Sequence, residues 1–163
     1  MKRLIPHPLL SLALFGLWLL LANSVAAGSL VMAACLALIL PHLAARWWPN
    51  PAPIRHLPAL VAYVILVLWD IIIANIQVAR IILFMPRDQI RSAWVAIPVE
   101  LRSPEAITLL AGTITMTPGT VTADMTADGR TLLIHSLHAP DPDAVRDDIK
   151  ARYEARLKRI FDE

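Results

Sequence analysis

The sequence predicts a membrane protein in two parts: an α-helical N-terminal half with three hydrophobic helices, and a small α+β C-terminal domain of order β-α-β-β-α. Three observations carry this. No charged residue falls between Leu9 and Leu40. A second long apolar segment runs from Ala59 to Phe84, enough for one crossing of a bilayer at about 20 residues per span. Past Pro86 the apolar period switches from helical to alternating, and 10 of the 15 Lys and Arg lie from Arg87 onward. The composition agrees, because 57% hydrophobic residues exceed the roughly 45–50% of ordinary globular chains. The expected division is therefore a transmembrane region, 1–85, and a soluble domain, 86–163.

The 32 residues from Leu9 to Leu40 are too many for a single upright span. Asn23, Ser24 and nearby Gly28 offer a bend, so the reading is a tight hairpin of helices over about 4–22 and 25–45. Met1-Lys2-Arg3 followed by an apolar run and Ser24-Val25-Ala26 also resembles a secretory leader. The apolar character continues for another 14 residues beyond that point, which a retained hairpin requires and a leader does not. Five prolines between positions 41 and 58 then rule out a continuous helix, and Trp47 and Trp48 beside Arg46 suit the headgroup region, where an indole keeps its ring in lipid and its N–H wet.

The third hydrophobic helix, about 59–84, differs from the others by carrying Asp70, Asn75, Gln77 and Arg80. At 100° per residue Asp70, Ala74, Gln77 and Ile81 share a face. A carboxylate in mid-span is costly in lipid, so Asp70 is expected to meet protein, water or a cation. Two roles stay open: a polar contact that fixes this helix to a neighbouring subunit, or a place on an ion or proton route. Arg80 can reach the headgroups and needs neither.

In the C-terminal part, Val95, Ile97, Val99 and Leu101 alternate along a strand. Ser103-Pro104-Glu105 supplies an N-cap, a proline at the first helical position and an acid in the first turn of a helix through Met116, with Ile107, Leu110, Ala111 and Ile114 as its stripe. Thr117-Pro118-Gly119-Thr120 ends it. Runs 121–126 and 131–137 around Asp128-Gly129 read as a hairpin with a two-residue type I′ turn, pairing Thr122 with His135 and Ala123 with Ile134. That register packs Val121, Ala123, Met125, Leu132 and Ile134 on the helices and leaves Thr122, Asp124, Thr131 and His135 outside. Asp141-Pro142-Asp143 opens a last helix to about Phe161, its apolar side Val145, Ile149, Tyr153, Leu157 and Ile160.

Motifs for chemistry are lacking. His135, His138 and Asp141 lack the spacing of a metal site, and adjacent strand residues such as His135 and Ser136 point to opposite faces. No phosphate loop, dinucleotide fingerprint or nucleophile elbow occurs, so no enzyme, cofactor or metal is expected. Basic residues of the C-terminal half alternate with acids and form no nucleic-acid stripe.

Asn75-Ile76-Gln77-Val78-Ala79, Val95-Ala96-Ile97-Pro98-Val99, Ile107-Thr108-Leu109-Leu110-Ala111, Ile114-Thr115-Met116-Thr117-Pro118-Gly119-Thr120 and Ile134-His135 together resemble the E subunit of Mrp-type multisubunit Na⁺/H⁺ antiporters, also called Mnh or Pha. The family's L-A-N stands here as Leu110-Ala111-Gly112. The resemblance implies an accessory subunit of a cation/proton antiporter in the plasma (inner) membrane, multi-pass, with a cytoplasmic C-terminal domain and hydrophobic companion subunits as partners beside lipid. A scaffolding role is expected on that basis, the third helix docking through Asp70, Asn75 and Gln77 while Thr117, Pro118, Gly119, Thr120 and His135 shape a surface that contacts neighbours; these residues are the candidates for subunit contact or an ion path. A membrane-tethered module sensing pH through His135 is the alternative.

Overall fold

The structure, a computed structural model, describes residues 7–48 and 52–163. They fall into two compact units, Met1–Pro51 and Ala52–Glu163. The first is a hairpin of α1 (Pro8–Ala22) and α2 (Ala27–Ala44), turned by Asn23 in the left-handed conformation with its N–H on the Leu20 carbonyl. The bend thus lies at the Asn23-Ser24 pair, and Ser24 Oγ accepts from the Ala26 N–H. Residues 4–6 of the expected first helix lie outside the described residues. The 15 residues of α1 reach only about 22 Å at 1.5 Å per residue, short of a hydrocarbon core about 30 Å thick. Small residues Ala33 and Ala37 are buried on α2, where close helix approach favours them.

The second unit joins α3 (Leu57–Phe84) to the C-terminal domain: β1 (Ala93–Pro98), α4 (Pro104–Met116), β2 (Thr120–Met125), β3 (Thr131–Ser136), α5 (Pro142–Ile149), a π-helical turn (Lys150–Glu154) and α6 (Ala155–Phe161). The expected boundary at 85/86 therefore does not separate packing units; α3 belongs with the domain that follows it. The antiparallel sheet has the order β1-β3-β2. Val95, Ile97, Val99 and Leu101 are all buried, and Leu110, Ile114, Leu132, Ile134, Leu157 and Ile160 complete the core. Tyr63 and Val67 of α3 enter that same core, which a domain of about 70 residues could fill only marginally by itself.

The hairpin differs from its expected geometry in two ways. Type I′ demands positive φ at both central residues, yet only Gly129 has it, at 69°. The turn instead runs from Thr126 to Gly129, closed by Gly129 N–H to Thr126 C=O at 2.8 Å, because Asp128 Oδ1 takes the Thr126 hydroxyl and the Arg130 N–H. Near the turn Met125 faces Leu132 as expected; past a bulge between Thr122 and Asp124 the register slips by one, so Thr122 faces Ile134 and Val121 faces His135. The slip reverses the faces of β2 there. Val121 is exposed, whereas the Thr122 hydroxyl donates to Ala111 C=O on α4.

The last helix carries an apolar stripe spaced by fours, Ile149, Tyr153 and Leu157, which drifts about 40° per step on a regular helix. The π-helical turn absorbs this drift and turns two successive residues inward, Tyr153 and Glu154. Glu154 is buried and satisfied: its Oε1 accepts from Glu100 N–H at 2.5 Å and its Oε2 pairs with Lys150 at 2.9 Å. Nearby, Lys158 and then Lys150 hydrogen-bond the exposed Glu100 carboxylate and hold its pKa down at about 2. With an unfolded value of about 4.3, this stabilisation is complete above that pH and disappears as pH falls through 2. Thermal melting of the full chain should therefore lose stability between about pH 4.3 and 2, and Glu100→Gln should flatten that limb. An unchanged acid limb in the variant would remove Glu100 from the account.

Candidate functional site

A buried ion pair inside the second unit lies at the seam where α3 meets the last helix. Asp70 sits on the inner face of α3, in line with Tyr63, Val67 and Ala74, and is 7% exposed. Its carboxylate receives Arg152 on both oxygens, Nε to Oδ2 at 2.7 Å and Nη2 to Oδ1 at 2.5 Å. Tyr153 OH donates to Oδ2 at 2.9 Å. The fork of the guanidinium matches the carboxylate bidentately, which fixes orientation as well as charge. Burial, and then the hydrogen bond to Asp70, push the Tyr153 phenol up to about 12, so it remains a donor at neutral pH. Two turns toward the N-terminus of α3, Tyr63 OH donates to Thr113 Oγ1 at 2.8 Å, which in turn donates to Leu109 C=O.

Toward the C-terminal end of α3 the seam opens into a groove of about 380 Å³. Gln77, Thr117, Pro118, Gly119 and Thr120 all line it, with Asp148 and Tyr153 opposite. Hydrogen bonds hold the Thr117–Thr120 segment at both ends. Thr120 Oγ1 donates to Ile114 and Thr117 carbonyls at 2.7 and 3.0 Å, Thr117 Oγ1 donates to Thr113 C=O, and Leu137 N–H ties Gly119 C=O to the end of β3. These bonds satisfy carbonyls at the α4 C-terminus that the helix itself leaves open.

Among the sequence candidates the structure thus gathers Gln77 and Thr117–Thr120 in one groove, with Asp70 linked to it through Tyr153. Asn75 and His135 stand apart. The Asn75 amide donates to Ile71 C=O of its own helix and is exposed. His135 lies on the outer face of the sheet against Trp94, with ring centroids 4.9 Å apart. His138 Nδ1 accepts from the Arg91 N–H, and Asp141 caps α5 by accepting from Asp143 and Ala144 N–H.

The family of Na⁺/H⁺ ion antiporter subunits designated MNHE matches residues 11–160. The chain belongs to this family. The MNHE match takes in Asp70, the Thr117–Thr120 turn, Arg152 and Tyr153. Among curated relatives, the E subunit of a probable K⁺/H⁺ antiporter from Rhizobium meliloti is 33% identical over 99% of this chain and 100% of its own length. The E subunit of a Na⁺/H⁺ antiporter from Alkalihalophilus pseudofirmus is 26% identical over 93% of this chain and 96% of its own. A chain in the structure of the membrane-bound sulfane sulfur reductase, an archaeal respiratory membrane complex, superposes with a TM-score of 0.72 at 27% identity, covering 94% of this chain and 97% of that one. The MNHE fold is thus a membrane fold: apolar helices first, then a three-stranded antiparallel sheet with helices.

Sequence reasoning missed Arg152 and Glu154. In the sequence Arg152 is one basic residue among several in the last helix, outside the stripe of Val145, Ile149, Tyr153, Leu157 and Ile160. Arg152 precedes the inward-facing Tyr153, and its long side chain reaches Asp70 while staying partly exposed. The available signal was Tyr153 on the apolar stripe, since a buried phenol needs a hydrogen-bond partner.

Proposed function

We propose that this chain is an accessory, structural subunit of a multisubunit secondary cation/proton antiporter, supporting assembly and the efflux of a monovalent cation coupled to proton entry. On this reading it is a multi-pass protein of the plasma (inner) membrane, with its C-terminal domain on the cytoplasmic side and hydrophobic subunits of the same assembly as its partners. The observation that carries this reading is the state of Asp70. It is the only Asp or Glu in the first 87 residues, and Arg152 and Tyr153 already occupy it. A relay needs carboxylates that exchange protons or ions, and this one is engaged in holding α3 to the domain behind it. The ion path then belongs to companion subunits, and the role left for this chain is non-catalytic. The names of its relatives differ in the cation, K⁺ in one and Na⁺ in the other, so the cation is identified only as monovalent.

The test is isolation of the tagged chain from its native membrane in mild detergent. Several very hydrophobic proteins should accompany it, and deleting the chain should reduce both their assembly and cation-dependent proton exchange in membrane vesicles. Isolation as a lone chain or homo-oligomer, with exchange intact in the deletion strain, would abandon this reading for a tethered module that senses pH.

A further inference from the structure

The outer side of α3 poses a problem that length and hydropathy alone do not reveal. By both measures the helix qualifies as a span, with 28 residues and a mean hydropathy of 2.4 in its most apolar window. Yet one side of it is covered by the charged C-terminal domain over most of its length, from Ala59 to Val78. Before the helix begins, Arg55 N–H donates to Ile160 C=O. Along it, Tyr63, Val67, Asp70 and Ala74 are buried, Val78 abuts Gly119, and Ile81 still lines the groove. From Ala59 to Val78 this contact extends about 28 Å at 1.5 Å per residue, close to the thickness of the hydrocarbon core at about 30 Å. Were α3 to stand across the bilayer, the domain would stand in the hydrocarbon with it, carrying Arg146, Lys150, Arg152 and Lys158 and the acids they pair with. Charged side chains at that depth are expelled unless protein or water surrounds them.

We infer that α3 lies in the plane of the membrane surface, with its outer face sunk into the lipid of one leaflet and its inner face holding the C-terminal domain. The outer face has the required chemistry. Ile65, Leu68, Trp69, Ile72 and Ile76 are each between 47% and 63% exposed, and no charge interrupts them. The single acid of the helix is on the opposite side. Basic residues follow at the C-terminal end, Arg80, Arg87 and Arg91, with Asp88 the one acid among them, a balance that suits anionic headgroups. Lipid therefore fits both the apolar stripe and the charge beside it.

Site-directed spin labelling of the full chain decides this. In a Cys35→Ala background, a nitroxide is placed at Ile65, Leu68, Ile72 or Ile76, all exposed positions, and the chain is reconstituted in phosphatidylethanolamine–phosphatidylglycerol vesicles. Depth is read from collisions with oxygen against a water-soluble nickel chelate. An in-plane helix gives all four labels the same shallow depth, about 5–10 Å below the headgroups. A spanning helix gives a staircase of about 16 Å between positions 65 and 76, and that result overturns the inference. So does protection of the four labels from both reagents, which means a protein cover, or free access of the nickel chelate, which means water. Co-purification with companion subunits bears on none of these outcomes.

Discussion

Replacing Asp70 by alanine is expected to lower the stability of the Ala52–Glu163 unit by about 2–3 kcal/mol, read as an earlier thermal or denaturant transition of the full chain in detergent. Breaking one side of a buried ion pair costs about 3–5 kcal/mol because the other charge is stranded. Here Asp70 is buried while the Arg152 side chain is 38% exposed, so the abandoned guanidinium regains part of its hydration and the cost falls below that range. Tyr153 also loses its acceptor while remaining buried. Arg152→Ala strands the carboxylate instead and should cost at least as much. The double variant should cost clearly less than the sum of the two, since each removes the same interaction. Strict additivity would mean that the two side chains do not depend on each other. The functional reading has its own check: Asp70→Asn should reduce assembly and ion exchange together. Full assembly with exchange abolished would move Asp70 from holding α3 to carrying ions.

That pair also shows how far the sequence could be read. Elements whose signal is local were legible: Ser103-Pro104 starts α4 with the Ser103 hydroxyl on the Ala106 N–H, Asp141 caps α5, and alternation picks out the inner side of β1. Asp70 was recognisable as a residue in need of a partner, because an acid in an apolar helix is costly anywhere. The identity of the partner was not, since it lies 82 positions away on the flank of the last helix, outside its apolar stripe. The β2 register failed for a related reason. Thr126 and Asp128 side chains compete for the backbone at the turn, and the extra residue at the bulge leaves no mark in the apolar pattern. The position of α3 was hidden most deeply. Hydropathy counts apolar residues around the whole helix, whereas the domain covers one face and leaves the other bare, a difference that exists only once the chain has folded.

Gly119→Ala should cost about 2–3 kcal/mol, and the reason is steric on two independent counts. Gly119 adopts φ of 93°, outside the region open to a residue with a side chain, which by itself is worth about 1–3 kcal/mol. A Cβ there would also approach Val78 Cγ2 to 2.9 Å. Val78 cannot easily withdraw, since a β-branched side chain on a helix has one strongly preferred rotamer. The two contributions can be separated by adding Val78→Ala, which removes the struck methyl but leaves the backbone strain. The double variant should recover part of the stability lost in Gly119→Ala, after correction for Val78→Ala alone, and never all of it. Full recovery would place the whole cost in the clash; none would place it in the backbone and remove the close approach of α3 to this turn. Because Thr117 to Thr120 lines the groove and Val78 lies on α3, the same pair tests whether the turn sets the seating of α3 on the domain. If it does, Gly119→Ala weakens assembly with the companion subunits and Val78→Ala partly restores it, with neither change touching the Asp70–Arg152 pair.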